Sequence, residues 1–468
     1  MRRRSFWIVV SASLTLLFGG TGIARAGTSH GSRRSVAAER LRGGEAYQTT
    51  VRYVTQFYPL LFTYQQAKSF NQFIGPEEVT PLYHGVVAIN VDTIYASTAL
   101  NLTDQPVILK VPATTVTYSI LQLDPYGDVF QTALAPTASG GTYLLYGPGF
   151  TGTIPAGVIP VEEPLNYSNL LFRADKASST GQDTTSEAEQ FREGLFTQPL
   201  CAYLHQTCPA GTPAGGFTEV LPQFPRFAVP IKSLVDALAE KHPLIFLKLL
   251  QTAVHAPNTP PMSPAQLALS NRFDGLFSNL GANASALRAG ARAAHALIIT
   301  SYLSHTGATN WVHFNNIGYW GKQVVQRSAI TEFCQYCNSI NTAGYWHAFK
   351  DGQGMPLNGR NPRGYVLTFA KGRVPTAKRF WSLTAYTPQA IELIPNRANK
   401  YEVASYTPGL LYNTDGSLTI YISTTRPPGV PMANWLPVWR FRFNVMLRIY
   451  GTTDTASTYV PPAITEVR

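Results

Sequence analysis

Phe441-Arg442-Phe443-Asn444-Val445-Met446-Leu447-Arg448-Ile449-Tyr450 puts Phe441, Phe443, Val445, Leu447 and Ile449 on one side of an extended chain. Successive side chains of a strand point to opposite faces, so this alternation predicts a strand laid over a core. Arg442, Asn444, Arg448 and Tyr450 fall on the other side, whose default environment is solvent. The same period recurs upstream, where Leu418, Ile420 and Ile422 share one face and Tyr365, Leu367 and Phe369 share another. Asp351-Gly352, Asn358-Gly359 and Asp415-Gly416 supply turn residues that accept positive φ. Residues 346–468 are therefore expected to form a β-sandwich.

Short strands are also expected near the other end, at residues 106–111, 115–123 and 142–146, the last closing at Gly147-Pro148-Gly149. A helix over residues 47–70 leads into them, so residues 46–225 read as a second sandwich module with a leading helix. Between the two modules the texture changes. Residues 233–240, 242–255, 265–277 and 284–304 carry helical patterning, broken at Pro257, Pro260 and Pro261, and residues 226–345 read as a helical middle. Arg288, Arg292 and His295 interrupt the apolar run near residue 300, which favours a buried helix over a membrane span.

Arg2, Arg3 and Arg4 followed by an apolar stretch and Ala24-Arg25-Ala26 read as a signal peptide over residues 1–26, with residues 27–45 a flexible lead-in. Both the general secretory and the twin-arginine route fit. The mature protein is expected to be bacterial and exported, secreted or held in the periplasm or cell envelope, without a stable transmembrane anchor. Cleavage removes four arginines and no acid, lowering the formal charge from +11 to +7. With 13% charged residues and no basic block, a nucleic-acid-binding face is not expected. Gly27-Thr28-Ser29-His30-Gly31 spells a nucleophile elbow but lacks the strand and helix that motif needs. The four cysteines favour disulfides in an exported chain, with Cys201–Cys208 and Cys334–Cys337 preferred among three pairings and a four-cysteine zinc site as the alternative.

Several segments in order resemble one family, the proteins that join domain of unknown function twelve fifty-four to domain of unknown function twelve fourteen. The first module's likeness lies in Asn90-Val91-Asp92-Thr93-Ile94-Tyr95, Tyr118-Ser119-Ile120-Leu121-Gln122-Leu123-Asp124 and Tyr146-Gly147-Pro148-Gly149. The second module's lies in Phe380-Trp381-Ser382-Leu383-Thr384, Asn396-Arg397, Asn434-Trp435-Leu436-Pro437 and Leu447-Arg448-Ile449-Tyr450. The resemblance implies a multidomain α and β protein with an N-terminal immunoglobulin-like sandwich, a helical middle and a C-terminal jelly roll. It implies no activity. The cysteine segments depart from the family pattern.

Two polar sets carry candidate acid–base chemistry, Asp92 with Tyr95 and Asp124 with Asp128, although Asp side chains in such stretches commonly organise their own turns. Asn90, Gln122, Asn396, Arg397, Tyr401, Trp435 and Arg448 are candidate ligand contacts, because amides, guanidinium forks and indoles recognise carboxylates, phosphates and sugar faces. No metal or cofactor is expected, since the zinc-protease, P-loop and dinucleotide fingerprints are missing. Three functions compete. The preferred one is a protein holding a small polar or anionic ligand, such as a sugar, lipid head group or carboxylate, between its β domains, in a pocket of about 300 Å³ or more. A secreted hydrolase or lyase needs its carboxylates to converge within about 10 Å. A cell-surface structural or interaction protein needs no pocket. The sequence leaves oligomeric state open.

Overall fold

The structure, a computed structural model, describes residues 44–66, 70–76, 78–210, 212, 229–256, 259–452 and 458–468. The signal peptide and the elbow-like motif expected before residue 44 lie outside the described residues.

The first helix, α1 (Glu45–Gln66), buries Tyr53, Phe57, Tyr58, Leu61 and Phe62. Pro59 inside it has no N–H to give the carbonyl of Thr55, a loss that normally breaks a helix. Ser328 replaces the missing donor, its Oγ lying 2.9 Å from that carbonyl, and Arg327 donates to the neighbouring carbonyl of Gln56.

The N-terminal module contains β1 (Thr93–Asn101), β2 (Val107–Val111), β3 (Tyr118–Leu123), β4 (Val129–Phe130), β5 (Gly141–Tyr146), β6 (Ile159–Glu162), β7 (Tyr167–Asp175), α2 (Thr185–Gly194), β8 (Phe196–Pro199) and α3 (Leu200–Tyr203). Its two sheets run β1-β7-β3-β4 and β6-β5-β2-β8. Alternate residues meet between them, with Ile94, Leu170 and Phe172 from the first sheet packed with Val107, Leu109 and Leu145 from the second. The turn after β3 is built by Asp124, whose Oδ1 accepts from the backbone N–H groups of Tyr126 and Asp128, while Gly127 takes a φ of 91° that favours glycine.

Four helices follow, α4 (Ile231–Lys241), α5 (Pro243–Val254), α6 (Pro264–Ser278) and α7 (Leu280–Leu303), then β9 (Trp311–His313) and α8 (Val324–Phe333). Ser263 and Gln266 close a reciprocal capping box at the start of α6, with Pro264 in the first turn. These helices and α1 share one core. The leading helix thus belongs by packing to the helical middle.

The C-terminal module contains β10 (Ala343–Ala348), β11 (Tyr365–Phe369), β12 (Ala377–Tyr386), β13 (Glu402–Ala404), β14 (Leu418–Ser423), β15 (Trp435–Pro437), β16 (Asn444–Thr452) and β17 (Thr465–Glu466). Its sheets run β13-β12-β16-β10-β9 and β15-β14-β11-β17, so β9 extends the first from within the helical region. Between the sheets, Trp381, Leu383, Val445 and Leu447 meet Leu367, Phe369, Ile420 and Ile422. Each such buried aliphatic side chain contributes about 1.5–3 kcal/mol relative to exposure.

The polar side of β16 is not the solvent side. Arg448 is 1% exposed and Asn444 fully buried, because the helical body and residues 84–92 cover that face. Phe441, expected on the apolar face, precedes the strand and is exposed. A strand buried on both faces still alternates when one covering layer is polar. Here the partners are specific: Tyr302 of α7 donates its O–H to His347 Nδ1 at 2.9 Å, and His347 Nε2 donates to Asn444 Oδ1 at 2.7 Å. Burial pushes the His347 pKa down to about 3, keeping the ring neutral as this chain of bonds requires.

Both expected disulfides are present, Cys201–Cys208 in α3 and its following loop and Cys334–Cys337 directly after α8. No helix among the described residues is long and apolar enough to cross a membrane. Both features are compatible with an extracellular location.

Candidate functional site

A cavity of about 100 Å³ opens where the two β modules and the loop after α8 meet. Beta-strand β7 supplies Asn169 and Arg173, β1 supplies Tyr95, and β10 and β16 supply Tyr345, Arg448 and Tyr450. Register explains the second set, because Arg448 in the central strand stands opposite Tyr345 on one side and Ser382 on the other. Ile74, Pro76, Tyr83 and Val86 complete the lining with less buried side chains.

Arg448 donates through Nη2 to the carbonyl of Ala88 at 2.6 Å and through Nη1 to Thr384 Oγ1 at 3.3 Å, with its guanidinium 5.5 Å from the Tyr386 ring centre. Arg173 donates through Nη2 to the carbonyl of Tyr336 at 2.6 Å and through Nη1 to Asn338 Oδ1, and it lies over the Tyr95 ring. Every one of these acceptors is neutral. Among the described residues the lining contains no carboxylate, and there the two buried positive charges border the cavity without a direct counter-ion. Asp92 exerts an attractive field on Arg448 but spends its oxygens elsewhere.

The remaining polar groups add donors. Asn90 Nδ2 donates to Tyr450 Oη at 2.8 Å, and the N–H of Asn338 donates to Tyr345 Oη at 3.0 Å, while the two phenols also hydrogen-bond to each other. Burial pushes Tyr95, Tyr345 and Tyr450 above their ordinary values, so all three stay protonated. Asn169 Nδ2 and Arg173 Nε are buried without a hydrogen-bond partner among the described residues. An unsatisfied buried donor costs about 1–3 kcal/mol, which an acceptor placed in the cavity would recover.

Of the residues singled out from the sequence, Asn90, Tyr95 and Arg448 come together here. Asp92 lies behind the wall, accepting from Ser382 Oγ at 2.7 Å and from Tyr406 Oη at 2.6 Å; Tyr406 also lies 2.8 Å from Glu402 Oε1. Asp124 and Asp128 sit at the turn after β3, where burial and then the neighbouring Asp128 push Asp124 up to about 6, and Asp128 pairs with Arg327 at 2.7 Å. They share no bonding partner with Asp92, and none of the three lines the cavity.

Asn396 organises its own turn by accepting from the N–H groups of Ala398 and Lys400, Arg397 is exposed, and Tyr401 packs its ring against the main core while its hydroxyl donates to Asn399. Trp435 donates to Ser423. Gln122 donates to Glu163 Oε1 at 2.6 Å.

Burial pushes fully enclosed Glu163 up to about 7 from 4.5, against the hydrogen bonds of Ser168 and Gln122. A raised carboxyl binds its proton more tightly folded than unfolded, so it costs stability as pH rises from 4.5 to about 7. Glu163→Gln is expected to abolish this dependence and to stabilise the protein at pH above 7 by about 3 kcal/mol, measured as urea midpoints across that range.

Arg173, Asn169, Tyr345 and Tyr450 were not among the sequence candidates. A signal for two of them existed, since Asn169, Leu171, Arg173 and Asp175 occupy one face of β7 by the two-residue period. A second cluster, Asp236, His295 and Glu332, brings its potential metal-ligand atoms within 4.8 Å of one another. Lys232 occupies that space instead, its Nζ 2.6 Å from Glu332 and 2.8 Å from Asp236.

Two paired-sheet modules joined through a helical body, with a basic cavity where they meet, define a multidomain protein of mixed α and β structure. Residues 70–199 match the family described as protein of unknown function DUF1254, and residues 342–454 match that described as protein of unknown function DUF1214, so the chain belongs to the two-module family that carries them in this order. In three dimensions the chain is similar to the VPA0106 protein from Vibrio parahaemolyticus, with a TM-score of 0.56 and 20% identity over 90% of this chain and 100% of that one. An uncharacterised protein from Burkholderia cenocepacia is also similar, at a TM-score of 0.42 and 15% identity over 92% of this chain and 98% of that one. Comparison with curated proteins finds no match.

Proposed function

We propose that this protein binds a compact anionic small molecule, with a carboxylate as the group recognised, in the cavity between its β modules. One observation carries the reading: among the described residues, two buried guanidinium groups, one with its Nε unpartnered, and the unpartnered amide of Asn169 border a cavity whose lining holds no acid. Arg forks suit carboxylate geometry, and charge-assisted bonds are about twice as strong as neutral ones. At about 100 Å³ the cavity falls short of the size of about 300 Å³ expected of it from the sequence, which counts toward the structural or interaction reading and restricts any bound group to a few heavy atoms. The acid–base reading draws no comparable support, since Asp92, Asp124 and Asp128 stand outside the cavity. We read the two modules as immunoglobulin-like and jelly-roll frames and the protein as exported, where small organic acids are within reach.

The test is calorimetry with acetate, inorganic phosphate and neutral acetamide. Acetate is expected to bind and acetamide to fail. Arg173→Met is expected to weaken acetate by about ten-fold or more, the scale of one charge-assisted bond. Equal binding of acetate and acetamide, or of acetate by wild type and Arg173→Met, would refute the reading.

A further inference from the structure

We infer that the Cys334–Cys337 disulfide shapes the anion site by holding Arg173 in place, so that its redox state switches ligand affinity. This rests on the anion-binding reading of the cavity. Cys334 caps the end of α8, and the chain then turns within three residues, with the N–H of Cys337 donating to the carbonyl of Cys334. Tyr336 between the two cysteines has a φ of 56°, in the left-handed region that side chains rarely adopt without external constraint. It is the carbonyl of this residue that accepts from Arg173, and the adjoining Asn338 accepts the other guanidinium nitrogen.

The rest of the loop is equally committed. Gln335 exchanges amide hydrogen bonds with Gln66 of α1, at 3.1 and 2.9 Å. Cys334, Gln335, Tyr336 and Cys337 all line the interdomain cavity, and the last three also line a second cavity of about 30 Å³ beyond it. The cross-linked loop is the partition between them. Reduction by a dithiol breaks the S–S bond, with two electrons and two protons passing to the cysteines while the dithiol closes to its own disulfide. The two thiol sulfurs then move apart to van der Waals separation. Tyr336 and Asn338 move with them, and Arg173 loses the two acceptors that leave its Nε free at the cavity.

The experiment uses the full mature chain carrying Cys201→Ser and Cys208→Ser, so that one bridge remains; neither residue lines the cavity. Samples are treated or not with dithiothreitol and counted for thiols. Acetate and inorganic phosphate affinities and amide hydrogen exchange are then read on both. Reduction is expected to weaken whichever anion binds by about ten-fold or more, and to speed exchange at Cys337 and Asn338. Cys334→Ser with Cys337→Ser is expected to reproduce the reduced behaviour. Unchanged affinity after verified reduction overturns the inference, and so does unchanged exchange at those two amides. Failure of both anions to bind the oxidised form instead sinks the anion reading itself, while the exchange comparison still decides whether the bridge holds the anchors of Arg173.

Discussion

Lys232→Met is expected to destabilise the helical body by about 3–5 kcal/mol, the cost of leaving a buried charge without its partner. Lys232 is 4% exposed and its ammonium lies between Glu332, which is fully buried, and Asp236. Burial alone would raise the Glu332 carboxyl; the Lys232 ammonium and then His295 override it and hold the group below its ordinary value. Tyr58 of α1 donates its O–H to the same carboxylate, so the network ties α1, α4, α7 and α8 together. The variant removes the cation and keeps most of the volume. Loss is read as the shift in the denaturant midpoint of the helical circular dichroism signal. Lys232→Met with Glu332→Gln is expected to recover much of it, because Asp236 then keeps His295 as its counter-charge and no unbalanced charge is left buried; a single variant as stable as wild type would contradict the assignment.

The same network fixes a pH dependence with the same sense as that of Glu163, at higher pH. Burial lowers the His295 pKa, but Asp236 and Glu332 outweigh it and bring it up to about 9 from 6.5. A raised imidazolium contributes stability that is complete below pH 6.5 and is lost as pH climbs through about 9. Helix midpoints are therefore expected to fall across that interval in wild type.

How much of this was legible beforehand differs by level. The alternation in Tyr365–Phe369, Leu418–Ser423 and Asn444–Thr452 reports one buried face against polar residues, and these strands appear where expected. The helices at 231–254 and 264–303 were equally readable, from period and from their prolines. What period cannot express is what covers the second face. Arg448 reads as solvent-facing because an arginine on the polar side of a strand usually is, and only packing of residues 84–92 against β16 makes it a buried charge. Arg173 is harder still, since its partners Tyr336 and Asn338 lie more than 160 residues away. Asp124, by contrast, hydrogen-bonds within four residues of itself, and its turn-forming role was visible locally, whereas Asn396 was read as a ligand contact although it too closes its own turn.

Arg379→Met is expected to cost about 3–5 kcal/mol and to loosen the junction of the modules before either core melts. Arg379 of β12 meets Asp175, the last residue of β7, through a bidentate fork, with Nε 2.8 Å from Oδ2 and Nη2 bonded to Oδ1. Asp175 is 2% exposed, and burial raises its carboxyl even though Arg379 pulls it back. Removing the guanidinium leaves only the raising influences, burial and the charge of Asp92, so the carboxyl climbs further. A raised acid favours the folded state below its folded pKa and disfavours it above, so the variant is expected to lose less stability at about pH 5 than at about pH 8. Lysine is not an equivalent replacement, because one ammonium cannot bridge both carboxylate oxygens in a fixed plane. Arg379 also stacks over Tyr450, 5.5 Å from its ring centre, so this bridge supports the cavity floor as well as the junction. Acetate affinity in Arg379→Met is therefore expected to fall together with stability, and to return with Asp175→Asn added if the damage came from the orphaned charge. Failure of the double variant to recover, with stability restored, would place the loss in the missing contact with Tyr450 instead.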